Sequence, residues 1–176
     1  IGVIGNGFVG KATKILQCDK TQIVVYDINP DLCEPKGTTL KDICKCHLIF
    51  ISVPTPSRKD GSMDLTILES AIKDIADIST NRETIFLVRS TIIPGTTKKL
   101  QSQFSNLKLV FNPEFLTQRS ANYDFINQSR CIFGGAKEDT KKVAELFRWR
   151  FGSSVSILET DYQSAELIKY MANTFF

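Results

Sequence analysis

The sequence predicts an α/β protein built on a doubly wound, mostly parallel β-sheet with helices on both faces. Short apolar runs rich in Ile, Val and Phe alternate with segments of helical period along the whole 176-residue chain. Several runs are apolar at every position, LIFISV at 48–53 among them, as strands buried on both faces of a parallel sheet must be. Strand–helix alternation with short connections then selects right-handed βαβ units.

Residues 1–4 form the first strand, and IGVIGNGFVGKA sets Gly5, Gly7 and Gly10 behind it in G-x-G-x-x-G spacing. Residues 8–18 follow as a helix and 23–26 as the second strand. Gly5 permits the turn, Gly7 lets the backbone approach a pyrophosphate, and Gly10 lets helix and strand pack closely. Phe8 and Val9, between the glycines, belong to the same candidate cofactor loop at the positive end of the helix. The second strand ends at Asp27, placed to accept both ribose hydroxyls. An acid there repels a 2′-phosphate, so the expected cofactor is NAD rather than NADP, and the architecture is Rossmann-type.

The third strand, 48–53, runs into VPTP, whose prolines fix the backbone of Val53, Pro54 and Thr55 beside the expected cofactor. A helix over 64–78 has Asp64 as its N-cap and Leu65, Leu68, Ile72, Ile75 and Ile78 at helical spacing. Strand 85–88 ends in STIIPGTT, which places Ser90 and Thr91 at its tip and lets Pro94 open a helix over 94–104. Strand 107–111 ends in NPEFL. There Glu114 stands between a proline and two apolar residues, a setting that withdraws it from water as a general acid–base group requires. Strands 131–133 and 155–158 flank a helix over 138–151. The last helix, 161–176, sets Lys169 and Asn173 on one face of a largely apolar stretch, turned to a pocket or a second domain. Taken singly, each stretch has an ordinary use as well: a rigid turn, a helix start, a solvated carboxylate, a surface pair.

The bulk numbers narrow the classes. A net charge of +3 is too small to argue for nucleic acid or a membrane surface, and the apolar runs are too short to span a bilayer. Five cysteines, Cys18, Cys33, Cys44, Cys46 and Cys131, form no C-x-x-C pair, and His47 is the one histidine. Neither a disulfide framework nor a metal site is expected, and a reducing cytoplasm is the expected location.

The ordered set GNGFVG, Asp27, VPTP, STIIPGT, NPEFL and Lys-x-x-x-Asn on a long helix resembles the N-terminal domain of the UDP-glucose/GDP-mannose dehydrogenase family over essentially the whole chain. With SANYDF and SRCIFGG following, it looks most like the members acting on UDP-glucose or GDP-mannose. The resemblance implies oxidation of a nucleotide sugar, UDP-glucose first, at C6 from alcohol to acid with two NAD, in a homo-oligomeric full-length enzyme. It implies that Thr91 and Glu114 position and activate water, and that Lys169 and Asn173 stabilise charge developing on the C6 oxygen. Glu114, Phe115, Leu116, Lys169 and Asn173 would bind the sugar. Val53, Pro54, Thr55, Ser90 and Gln118 would join the glycine loop and Asp27 around the cofactor.

Three positions depart from the family pattern. Gln118 replaces its second acid, Leu32 stands where it carries a cation for a cofactor phosphate, and no cysteine has the setting of its nucleophile, which belongs to a second, C-terminal domain. The expected organisation is an NAD-binding domain over 1–160 and the start of a central helix over 161–176 leading to a missing C-terminal domain, in a fragment of a longer enzyme. A β-hydroxyacid dehydrogenase and a non-catalytic nucleotide-binding domain are the competing readings.

Overall fold

The computed structural model describes residues 1–153 and 155–175. Its strands are β1 (Gly2–Ile4), β2 (Val24–Tyr26), β3 (Leu48–Ile51), β4 (Ile85–Val88), β5 (Lys108–Phe111), β6 (Arg130–Gly135) and β7 (Ser156–Thr160). The helices are α1 (Phe8–Thr13), α2 (Leu40–Ile43), α3 (Thr66–Ile78), α4 (Thr96–Gln103), α5 (Ala121–Ile126), α6 (Lys137–Phe151) and α7 (Tyr162–Phe175). One sheet has the order β2-β1-β3-β4-β5-β6-β7. All neighbours are parallel except β5 and β6, which pair antiparallel through Val110–Gly135 and Phe111–Gly134. The connection reverses between β1 and β3, so the crevice for a ligand opens there, past the carboxyl ends of the strands.

The alternating faces of the strands divide the interior into two cores. Ile4, Ile49, Ile51, Phe86, Val88, Leu109 and Phe111 meet Ile43 of α2, Leu68, Ile72 and Ile75 of α3, Leu100 of α4 and Ala165 of α7. Val3, Val25, Phe50, Leu87, Val110 and Phe133 meet Ala12 of α1, Phe125 of α5 and Phe147 of α6 on the other side. Phe147 is the hub of that second core, with ring centroids 5.0 Å from Phe133, 5.6 Å from Phe151 and 6.4 Å from Phe50. Layers of helices on both faces explain why the strands are apolar at every position.

Several expected boundaries move, each for a local reason. The helix over 8–18 stops earlier: α1 tightens into a 3-10 turn at Lys14–Leu16. The Thr21 hydroxyl then takes the Leu16 carbonyl, and Cys18 pairs with Thr21. Asp64 is not the N-cap of α3; it sits one position before Leu65, yet its carboxylate still accepts the Thr66 N–H at 3.0 Å. Pro94 does not open α4, because Gly95 at φ +97° lies between it and the first helical residue. Strand β3 ends at Ile51 rather than 53, while β6 and β7 run to Gly135 and Thr160, beyond 133 and 158. α2 and α5, four and six residues long, are helices the periodicity did not signal. The last helix is described from Tyr162 to Phe175, and Phe176 lies outside the described residues. Among the described residues no helix is long and apolar enough to cross a membrane.

Candidate active site

The glycine loop is built by close contact. A Cβ on Gly10 would stand 1.9 Å from the Gly5 carbonyl oxygen, and Gly5 itself has φ +90° against the Ser52 backbone. Neither position tolerates a side chain. At Gly7, the N-cap of α1, nothing lies within 4 Å of where a Cβ would stand, so the backbone there is open to a ligand. A 590 Å³ cavity opens beside it, walled by Gly5, Asn6, Gly7 and Asp27, by Val53 and Pro54 after β3, and by Thr66, Ile67, Ser70, Ala71 and Asp74 of α3. Ile28, Leu32, Leu40 and Ile67 give one part of it an apolar lining suited to a planar base.

Asp27 is held from three sides. Its carboxylate accepts the Asn6 N–H at 2.7 Å and the Asn29 N–H at 2.9 Å. Its own peptide is clamped by the buried Cys33 thiol, which accepts the Asp27 N–H and donates to the Asp27 carbonyl. The buried Asn6 amide donates to the Leu32 carbonyl and to Glu34, tying the glycine loop to the segment after β2. Glu34 also pairs with Lys14, whose hydrogen bond holds its carboxyl below the usual range.

Beyond β3 and β4 two hydrogen bonds join the tips of neighbouring strands. Ser90 Oγ donates to the Val53 carbonyl at 2.6 Å, and Thr55 Oγ1 donates to the Thr91 carbonyl at 2.7 Å. The stretches VPTP and STII are thus one surface rather than two turns.

Beside them stands the pair from NPEFL and α7. Lys169 is only 4% exposed, and its Nζ donates to the Glu114 carbonyl at 2.5 Å and to Glu114 Oε1 at 3.2 Å. Glu114 Oε2 accepts the Leu116 N–H at 2.6 Å, and Lys169 Nζ lies 5.3 Å from the centre of the Phe115 ring. Glu166, one turn earlier on α7, is fully buried and accepts the N–H groups of Gly95 and Thr97 at 2.5 and 2.8 Å. That carboxylate caps α4 and so fixes α7 against the loop carrying Thr91.

Other candidates are less gathered. Phe8 is exposed and Val9 half-buried, both outside the cavity walls. Gln118 is exposed on the loop before α5, and Asn173 is exposed one turn beyond Lys169. Asn6, Arg89, Asn112 and Glu166 were missed by sequence reasoning. Asn6 lies between two glycines and Glu166 three residues before Lys169, the sole hints that either position matters.

Residues 34–149 match the model of the UDP-glucose/GDP-mannose dehydrogenase family, NAD binding domain. The chain belongs to this family. The match starts past the glycine loop, but UDP-glucose 6-dehydrogenase TuaD of Bacillus subtilis is similar over 99% of this chain, at 29% identity and over 45% of its own length. UDP-glucose 6-dehydrogenase YwqF of the same organism is 34% identical over 143 residues, 77% of this chain and 32% of that protein. A solved GDP-mannose dehydrogenase from Pseudomonas aeruginosa shares the fold with a TM-score of 0.85 at 23% identity, over 99% of this chain and 49% of that one. The chain spans at most about half the length of these relatives.

The family's cofactor is NAD, and the residues present fit it. Gly7 leaves the loop open, Asp27 presents a held carboxylate in the cavity wall, and no lysine or arginine is among the described walls. Leu32 lines that cavity where the family carries a cation. Asp74 adds a second acid, which deepens the bias against a 2′-phosphate.

Proposed function

We propose that the chain is the NAD-binding domain, residues 1–160 with the first turns of a central helix over 161–176, of a cytoplasmic, homo-oligomeric nucleotide-sugar 6-dehydrogenase, and that its sugar is UDP-glucose, oxidised to UDP-glucuronate. The observation that carries this reading is the buried Lys169 on Glu114, a helix-borne cation and a loop carboxylate past the carboxyl end of β5, on the same edge of the sheet as the cofactor cavity though not among its walls. NAD, when bound, accepts the hydride.

The remaining work falls to side chains. Lys169 is desolvated and already bonded to an oxygen, so it is organised to stabilise an oxyanion at the sugar C6 without rearrangement. Glu114 is the base that takes a proton from water in the hydrolytic half, with Thr91 orienting that water. Asn173 follows Lys169 by one turn and supplies an amide donor to the same oxygen. Phe115 and Leu116 line the sugar, while Val53, Pro54, Thr55 and Ser90 form the rigid floor beneath the nicotinamide. Gln118 is a hydrogen-bonding neighbour of the cofactor that carries no charge.

The test uses the full-length protein with UDP-glucose. Two NAD reduced per sugar is the expected stoichiometry. A value of one, or no turnover with UDP-glucose while GDP-mannose is oxidised, refutes the assignment of the sugar.

A further inference from the structure

A second cavity, of 310 Å³, lies beneath the NPEFL loop, between α5 and the start of β6. It shares no wall residue with the cofactor cavity. Its polar walls are Arg89, Asn127, Gln128, Ser129 and Arg130, closed by the apolar bodies of Phe115 and Leu116.

Arg89 makes this cavity unusual. It is 3% exposed and held between Phe50 and Phe125, 5.7 and 5.3 Å from their ring centres. Its Nη1 donates to Asn112 Oδ1 at 2.8 Å, and Asn112 donates on to the Ile132 carbonyl. Among the described residues no carboxylate lies within ion-pair distance, and its buried Nε has no partner. A guanidinium buried with no carboxylate in contact is costly, and burial pulls it down to about 10 against the more distant attraction of Glu114. The ring faces stabilise the cation but accept no N–H in the guanidinium plane.

A second buried donor in the same wall, Gln128 Nε2, is also without a partner. Arg130 stands at the mouth, its guanidinium 4.5 Å from the centre of the Phe115 ring. The one acid in the wall, Asp124, is spent on the Thr117 N–H, the Thr117 hydroxyl and the Ser120 hydroxyl.

The geometry points to a binding site here for a tetrahedral oxyanion, inorganic phosphate or a phosphate monoester. Two guanidinium groups match a dianion, and their planar forks pair with its oxygens. The Ser129 hydroxyl and, with a turn of its side chain, the sealed Gln128 amide supply donors for the oxygens a planar carboxylate lacks. The occupant supplies the contacting counter-charge that Arg89 lacks. Phe115 and Leu116 of the NPEFL loop form one wall, so the site shares that loop with the proposed sugar site, while Thr91, Glu114, Lys169 and Asn173 are not among its walls.

Calorimetric titration of inorganic phosphate into the NAD-saturated protein tests the site. One phosphate per chain is expected, with affinity falling at least tenfold in Gln128→Leu and in Arg130→Ala while NAD affinity stays unchanged. No binding, binding equal in both variants and the parent, or loss of phosphate binding on NAD saturation overturns the proposal. Competition with UDP names the source. Displacement assigns the site to a nucleotide's phosphates, and retention assigns it to a free phosphate or its ester. Failure of this titration leaves the UDP-glucose stoichiometry untouched, so the two readings fall separately.

Discussion

Asp27 is placed by spacing but made useful by its neighbours. Its position after the second strand is visible in the sequence, as are the glycines, because backbone geometry permits nothing else at Gly5 and Gly10. What spacing cannot show is the clamp: the Asn6 N–H on the carboxylate and the Cys33 thiol on the peptide. These two partners come from different segments, the loop after β1 and the stretch after β2, and their meeting at Asp27 is a tertiary fact. Arg89 was hidden for the same reason, since a charged residue at the tip of an apolar strand gives no sign of where its guanidinium goes. On the proposed role of Asp27, Asp27→Ala removes charged acceptors for two ribose hydroxyls, at about 1.5–3 kcal/mol per hydrogen bond to a charged group. NAD affinity should therefore fall at least about tenfold and the preference over NADP should shrink, both read by calorimetry. Equal losses for the two cofactors would show that Asp27 does not discriminate.

The long amphipathic helices were legible as elements, and the short ones were not. α3 repeats Leu68, Ile72 and Ile75 at helical spacing, and all three are buried. α2 is a four-residue turn held by a capping box, with Thr39 and Asp42 each bonding the other's backbone, too short for any period to emerge. α7 was legible as a helix with Lys169 facing inward, but its second anchor, Glu166, was not. Replacing Glu166 by Gln leaves one of two buried N–H groups at the α4 N-terminus with a poorer acceptor or none. A loss of about 1–3 kcal/mol in urea unfolding is expected. Glu138→Gln, at an exposed position in α6, should stay within about 0.5 kcal/mol. Similar small effects for both would mean that Glu166 bears no share of the α4–α7 contact.

For the whole molecule, the two-sided core and mostly parallel order were legible in the all-apolar runs and the strand–helix alternation, whereas the place of the antiparallel junction was not, because an apolar strand reads the same in either direction. Stability against pH is a property at this scale. Burial raises the carboxyl of Asp139, outweighing the pull of Lys108 and Lys142. A raised acid favours the folded state when protonated and disfavours it when ionised, so its penalty appears as pH rises through and above the ordinary value of 3.8. Asp139→Asn should raise the melting temperature at neutral pH, with the gain vanishing near about pH 3, where the acid is protonated folded or unfolded. A gain independent of pH would assign it to packing instead.

The junction between β5 and β6 has a mechanical result of its own. A helix that follows a strand travels back against it, so after β1, β3 or β4 the chain departs from the rim where ligands gather. Only a reversed strand sends its helix towards that rim. β7 is reversed, and from Tyr162 to Lys169 the helix advances about 10 Å upward, at about 1.5 Å per residue. The lysine therefore arrives on a stiff rod driven from below, while Thr91 and Glu114 hang from loops above. The one inversion in the weave gives the domain a piston among its straps.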